Sequence, residues 1–196
     1  MKTISLLFLL FTCCSLASAF DFWKFFNYPS ATAISEIDLR KYSGQWYEIA
    51  RLPFYFERNC YCSMAHYEFD PKGTLHVKNI CTWKSPEGEL HTASGEAVPV
   101  EPLEEGSAIS NGNFKVSLFE VISVPYVILA VDKNYDYAMV GSPRANKLWI
   151  LSRKPSLDDK IYYQLIDEAR SQGFDVTNII KTYQGPACDR KRLMSV

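Results

Sequence analysis

What most constrains this chain is a series of short extended segments, each cut off by turn-forming residues before it can continue. Gln45 to Tyr55 (QWYEIARLPFY) is rich in aromatic and β-branched residues and ends near Pro53. Cys62 to Phe69 partly alternates, Asp70-Pro71-Lys72-Gly73 supplies a turn, and Thr74 to Trp83 alternates again. That is a β-hairpin in sequence form. Thr92 to Val100 reads as a weaker strand and Glu101 to Gly112 as an acidic loop. Asn113 to Ile122, Tyr126 to Val131, Tyr137 to Val140 and Lys147 to Ser152 read as further strands, separated by Asp, Asn, Gly and Pro. Two segments depart from this texture. Ser35 to Tyr42 reads as one turn of helix, with Ser35 as N-cap and Asp38 in the capping-box position. After Pro155, Leu157, Ile161, Leu165, Ile166 and Ala169 recur at helical spacing, with Ser156 as N-cap and Gly173 as stop. The expected fold is all-β: an eight-stranded up-and-down antiparallel β-barrel with a C-terminal α-helix packed outside.

The first residues predict export. Lys2 gives a positive start, Ile4 to Cys14 an apolar run of signal-peptide length, and Ala17-Ser18-Ala19 a cleavage site before Phe20. The run is too short to span a bilayer. The residues before Cys13 and Cys14 lack the small side chain expected ahead of a lipidated cysteine, which disfavours an outer-membrane lipoprotein. Removing residues 1–19 leaves Cys60, Cys62, Cys81 and Cys188, an even set that reads as two disulfides in an oxidising compartment. Residues 20–34 form an aromatic opening (FDFWKFFNY at 20–28) that either packs on the barrel or dips into a membrane interface. Residues 35–188 make up the barrel and helix, and 189–196 a C-terminal tail. The net charge of −1 with no basic block argues against nucleic acid as a partner.

Three motifs in order resemble the lipocalin family. Gly44-Gln45-Trp46-Tyr47-Glu48-Ile49-Ala50-Arg51 is similar to the family's first-strand signature. Leu129-Ala130-Val131-Asp132 with Tyr135, Tyr137 and Ala138 resembles the second, and Leu148 to Arg153 the third, whose arginine packs over the first-strand tryptophan. The resemblance runs from about Glu36 to Cys188. It is nearest the branch holding bacterial lipocalin, apolipoprotein D and the plant temperature-induced proteins, and the cysteine pattern also resembles chloroplastic lipocalins. It implies structural roles for Gly44, Trp46, Asp132, Tyr137 and Arg153. It also implies Cys62–Cys188, with Cys60–Cys81 by remainder. A hairpin turned at Asp70 to Thr74 brings Cys81 opposite residue 62 or 63, which permits Cys62–Cys81 instead.

Carried onto this sequence, the resemblance implies a barrel that holds a small hydrophobic ligand. Tyr67 matches a pocket tyrosine and Val127 a pocket tryptophan of the apolipoprotein D branch. The smaller valine enlarges the site and favours a fatty acid or lysophospholipid over a flat ring. Leu129 and Val131 share the parity of Val127, and Phe69, Val116, Leu118 and Met139 are further wall candidates. No cofactor, metal or catalytic constellation is expected, because His66, His76 and His91 stand apart and each cysteine has a disulfide partner. The alternatives are a lipid- or isoprenoid-modifying enzyme and a membrane-associated interaction protein. The expected location is the bacterial periplasm, otherwise secretion, and the expected state a monomer or homodimer.

Overall fold

The computed structural model describes residues 30–118 and 122–195. The expected signal peptide and the aromatic segment at 20–28 lie outside them. β1 (Ile37–Asp38) leads into a single helical turn, α1 (Leu39–Tyr42). The barrel strands are β2 (Gly44–Arg51), β3 (Cys60–Asp70), β4 (Thr74–Trp83), β5 (Leu90–Pro99), β7 (Asn113–Leu118), β8 (Ile122–Val131), β9 (Tyr137–Gly141) and β10 (Leu148–Ser152). They pair antiparallel in chain order, and β10 returns to β2 to close the cylinder. A short β6 (Ile109–Ser110) pairs with β1. α2 (Asp159–Ser171) lies outside the barrel, followed by β11 (Ile180–Lys181) and α3 (Arg190–Met194).

The eight-stranded barrel with an external helix is the expected architecture, with local differences. Asp38 caps α1, accepting from the backbone of Arg40 and Lys41, and Asp158 caps α2, accepting from Lys160 and Ile161. In both cases an aspartate three residues past the expected serine, or two past it at α2, takes the role. A carboxylate there also meets the positive end of the helix. The expected strand from Asn113 to Ile122 ends at Leu118, and Ile122 opens β8, which runs through Pro125. Proline fits because β9 pairs β8 only from Val127 onward, leaving no ladder on that side of Pro125 to supply a donor for. Within the expected C-terminal tail, α3 buries Leu193 against the barrel's outer wall.

Both disulfides are present, Cys60–Cys81 and Cys62–Cys188. The local alternative, Cys62–Cys81, is not formed. A register shift between Tyr61 and Met64 puts Cys60 across from Trp83, so that Cys81 reaches Cys60, and Cys62 turns outward to the C-terminal segment. That segment fills a seam. β2 pairs with β3 only as far as Tyr47, and β11 takes over its free edge at Ala50 and Arg51. Thr182 N–H donates to Ile49, Cys62 N–H to Tyr183, and the Gln184 amide to Glu48 and Ser63 carbonyls, sewing the two strands together.

Candidate functional site

One end of the barrel is sealed. Trp46 is fully buried there, its indole N–H donating 2.8 Å to the Tyr42 carbonyl. The Arg153 guanidinium lies 3.7 Å from the Trp46 ring centroid and donates to the carbonyls of Gln45, Lys41, Tyr42, Ser43 and Tyr135. A planar fork with five donors suits this cluster of backbone oxygens, and stacking on the indole fixes its plane. Gly44 has φ +98°, and a Cβ on it would meet Arg153 Nη1 at 3.3 Å, so glycine is required by backbone and neighbour alike. Asp132 N–H and carbonyl hold the turn to Tyr137 and Tyr135. Tyr137 is half-buried and packs on the α2 side.

The ladder registers decide which side chains face the lumen, because residues opposite one another in antiparallel strands share a face. One inward row runs Phe69, Leu75, Ala97, Val116, Val124. Another contains Tyr67, Val77 and Gly95, and a third Ala65, Asn79 and Ala93. Across the barrel, Ile128, Val140, Trp149 and Arg51 form one row, and Val131, Ala138, Leu151 and Glu48 the next. The apolar members of these rows that are buried form one cluster with Trp46 and Tyr42.

Tyr67, Phe69 and Val116 therefore line the interior. Leu118 closes β7, and its side chain lies outside the described residues. Val127, Leu129 and Met139 do not face the lumen: they pack outside with Ala50, Leu148 and Ile150 beneath Leu165, Ile166 and Ala169 of α2. The inward parity of β8 is Val124, Tyr126, Ile128, and a shift between Ile128 and Ala130 then brings Val131 inward. Both faces of β8 are apolar because a helix covers the outer one, so alternation carries no sign of which is which. The enlargement expected from Val127 has no basis in this packing.

Solvent reach grades along the lumen. On β5, Thr92, Ser94 and Glu96 are exposed outward, while the inward residues pass from half-buried Ala93 and Gly95 to fully buried Ala97. Half-buried Asn79 and Trp149 likewise stand toward the end carrying the loops 52–59, 84–89 and 142–147, where the interior opens, while Phe69 and Val131 are half-buried at the strand ends opposite. Deeper in, the hydroxyls of Tyr67 and Tyr126 meet at 3.2 Å across the lumen, and the buried Tyr42 hydroxyl beside them has no well-formed partner. Burial pushes all three phenols up, Tyr42 and Tyr126 strongly.

A polar cluster stands nearer the mouth, of which Glu48 and Arg51 entered the sequence reading only as signature residues and Glu57 did not enter it at all. Arg51, 96% buried by its 4% exposure, has Nε 3.1 Å from Glu57 and 3.5 Å from Glu48. Glu57 also accepts from the Trp149 indole at 3.0 Å, and Glu48 from the Thr182 hydroxyl. Buried Glu48 and half-buried Glu57 share one guanidinium, and only one carboxyl can be charged cheaply. Burial first, then the nearby Glu57, pushes Glu48 from 4.5 to about 8, while Glu57 makes the shorter contact with Arg51. Burial raises Glu57 as well, opposed by Trp149 and Arg51, so the two carboxyls titrate as a pair. Arg51 Nη1 is buried with no hydrogen-bond partner in the protein. The glutamates and the arginine were visible in sequence, but only a shift between Ile150 and Leu151 in the β10 register turns both Glu48 and Arg51 inward. The cysteines at 60, 62, 81 and 188 are all oxidised and offer no thiolate.

The model of the lipocalin-like domain matches residues 37–184. The outer membrane lipoprotein Blc of Vibrio cholerae is 35% identical over 156 residues, covering 79% of this chain and 87% of that protein. Temperature-induced lipocalin-1 of Arabidopsis thaliana is 31% identical over 154 residues, covering 77% and 81%. Among solved structures, lobster apocrustacyanin A1 superposes with a TM-score of 0.63 at 20% identity, over 87% of this chain and 98% of that one, a likeness of fold.

Proposed function

The chain belongs to the lipocalin family, and from that premise we propose that it is an exported carrier that binds, stores or transports a fatty acid or lysophospholipid in its barrel without transforming it. The observation that carries this reading is the graded lumen, apolar and sealed at Trp46 and reachable past Asn79, Ala93 and Gly95 at the other end. Such a tube suits an extended hydrocarbon chain entered tail first. Arg51 supports an acidic head group: a carboxylate or phosphate at the mouth would satisfy its partnerless Nη1 with a charge-assisted hydrogen bond. Two disulfides favour an oxidising compartment, the periplasm in the first instance.

The test is native mass spectrometry of the mature protein with identification of extracted lipid, followed by titration of a fatty acid and its matching alcohol against Trp149 fluorescence. A bound lipid near one per chain, and tighter binding of the acid than the alcohol that Arg51→Met abolishes, supports the reading. An empty protein whose fluorescence responds to neither ligand refutes it.

A further inference from the structure

The two most exposed large apolar side chains among the described residues are neighbours. Tyr55 is 68% and Phe56 70% exposed, and both sit on the 52–59 loop at the open end of the barrel. Exposed apolar side chains are ordinary when scattered. Here Phe54, Tyr55 and Phe56 contact one another edge to face, at 5.5 Å and 5.6 Å between centroids, and Phe54 is seated on Trp149 at 5.8 Å. The rings stand on a fixed base.

Cations surround them. The Arg58 guanidinium lies 4.0 Å over the Tyr55 ring and donates to the Tyr55 carbonyl, and Lys147 approaches the Phe54 ring at 5.3 Å. Lys84, whose N–H donates to Asn59, brings a third exposed charge to the same rim, and Arg144 on the 142–147 loop a fourth. The rim's Glu57 turns inward to Arg51 and Trp149, and the exposed acids Glu87 and Glu89 lie on the same 84–89 turn as Lys84, so the four basic side chains outnumber the exposed acids of these loops. Aromatic rings at the tip with basic side chains set around them match the two layers of a bilayer surface, acyl boundary and anionic head groups.

We propose that this rim is a docking surface for anionic phospholipid bilayers, with Tyr55 and Phe56 inserted at head-group depth and Arg58, Lys84, Arg144 and Lys147 against lipid phosphates. The surface goes beyond the carrier reading and stands whatever the lumen holds. If that reading also holds, the mouth faces the membrane from which a lipid leaves. The aromatic sequence at 20–28 is the rival occupant of the patch that the test must separate.

The experiment is co-sedimentation of the mature chain with vesicles of phosphatidylcholine alone and of an equal mixture with phosphatidylglycerol. It is run beside the Tyr55→Ser/Phe56→Ser double variant and a Phe56→Trp reporter, with thermal unfolding as the check on folding. The expected result is binding to the mixed vesicles that high salt reverses, weakened at least about tenfold in the double variant at an unchanged unfolding midpoint. The reporter's emission, with the wild-type spectrum subtracted, should shift to the blue on the mixed vesicles and be quenched by lipid brominated near the head group. Binding to neither vesicle overturns the proposal, as does a double variant that binds like wild type. It is also overturned if the reporter is blue-shifted without vesicles and becomes exposed when residues 20–28 are deleted, which would assign the patch to that segment.

Discussion

Replacing Glu48 by glutamine tests whether the carboxyl at the mouth of the lumen is neutral in the folded protein. In the unfolded chain this group has an ordinary value near 4.5, whereas burial beside Glu57 holds it protonated up to about pH 8 in the fold. Below pH 4.5 both states carry the proton and the group adds no pH dependence. Between 4.5 and 8 the folded state keeps a proton that the unfolded chain releases, so stability falls as pH rises. The slope is about 1.4 kcal/mol per pH unit, and the loss across the window is at most about 5 kcal/mol. Above pH 8 the contribution is flat. The assay is urea unfolding of the disulfide-intact protein at pH steps across that window. Glu48→Gln keeps an oxygen for the Thr182 hydroxyl and removes the proton equilibrium, and it leaves Glu57 alone with Arg51, so most of the slope should vanish. The slope carries the test rather than absolute stability, because the amide places N–H donors beside Arg51. Equal slopes in wild type and variant would show that Glu48 ionises normally in the fold.

Arg153→Met should lose about 3 kcal/mol or more in unfolding free energy, since it strips donors from five backbone carbonyls and uncovers Trp46; a loss under about 1 kcal/mol refutes its sealing role. The Cys62→Ser/Cys188→Ser variant opens a loop closed across 126 residues and should unfold about 4–5 kcal/mol more easily in denaturant titration, unless the unfolded chain is already constrained there. Val116→Trp should block fatty-acid binding from within the lumen, while Met139→Ala should cost about 2–4 kcal/mol under α2 and leave affinity within about twofold. The reverse outcome would mean that the inward and outward faces are exchanged.

The sequence by itself determined the architecture, the closed end and the cysteines available for bridging. Turn residues at short intervals forbid long helices, and the helical period after Pro155 places one helix after the last strand. Trp46, Gly44 and Arg153 were legible because they stand in the motifs that resemble the lipocalin signatures. The N-caps slipped from serine to aspartate because both residues can cap and only backbone geometry selects between them. Tertiary structure alone decided the parity of β8, which sends Val127, Leu129 and Met139 outward, since a strand apolar on both faces has no amphipathic signal to read. It also decided the disulfide pairing, because a register shift near Cys62 separates two cysteines that share a strand. Glu48, Arg51 and Glu57 are near in sequence, but their inward facing and the Trp149 hydrogen bond to Glu57 come only when the barrel closes β10 onto β2.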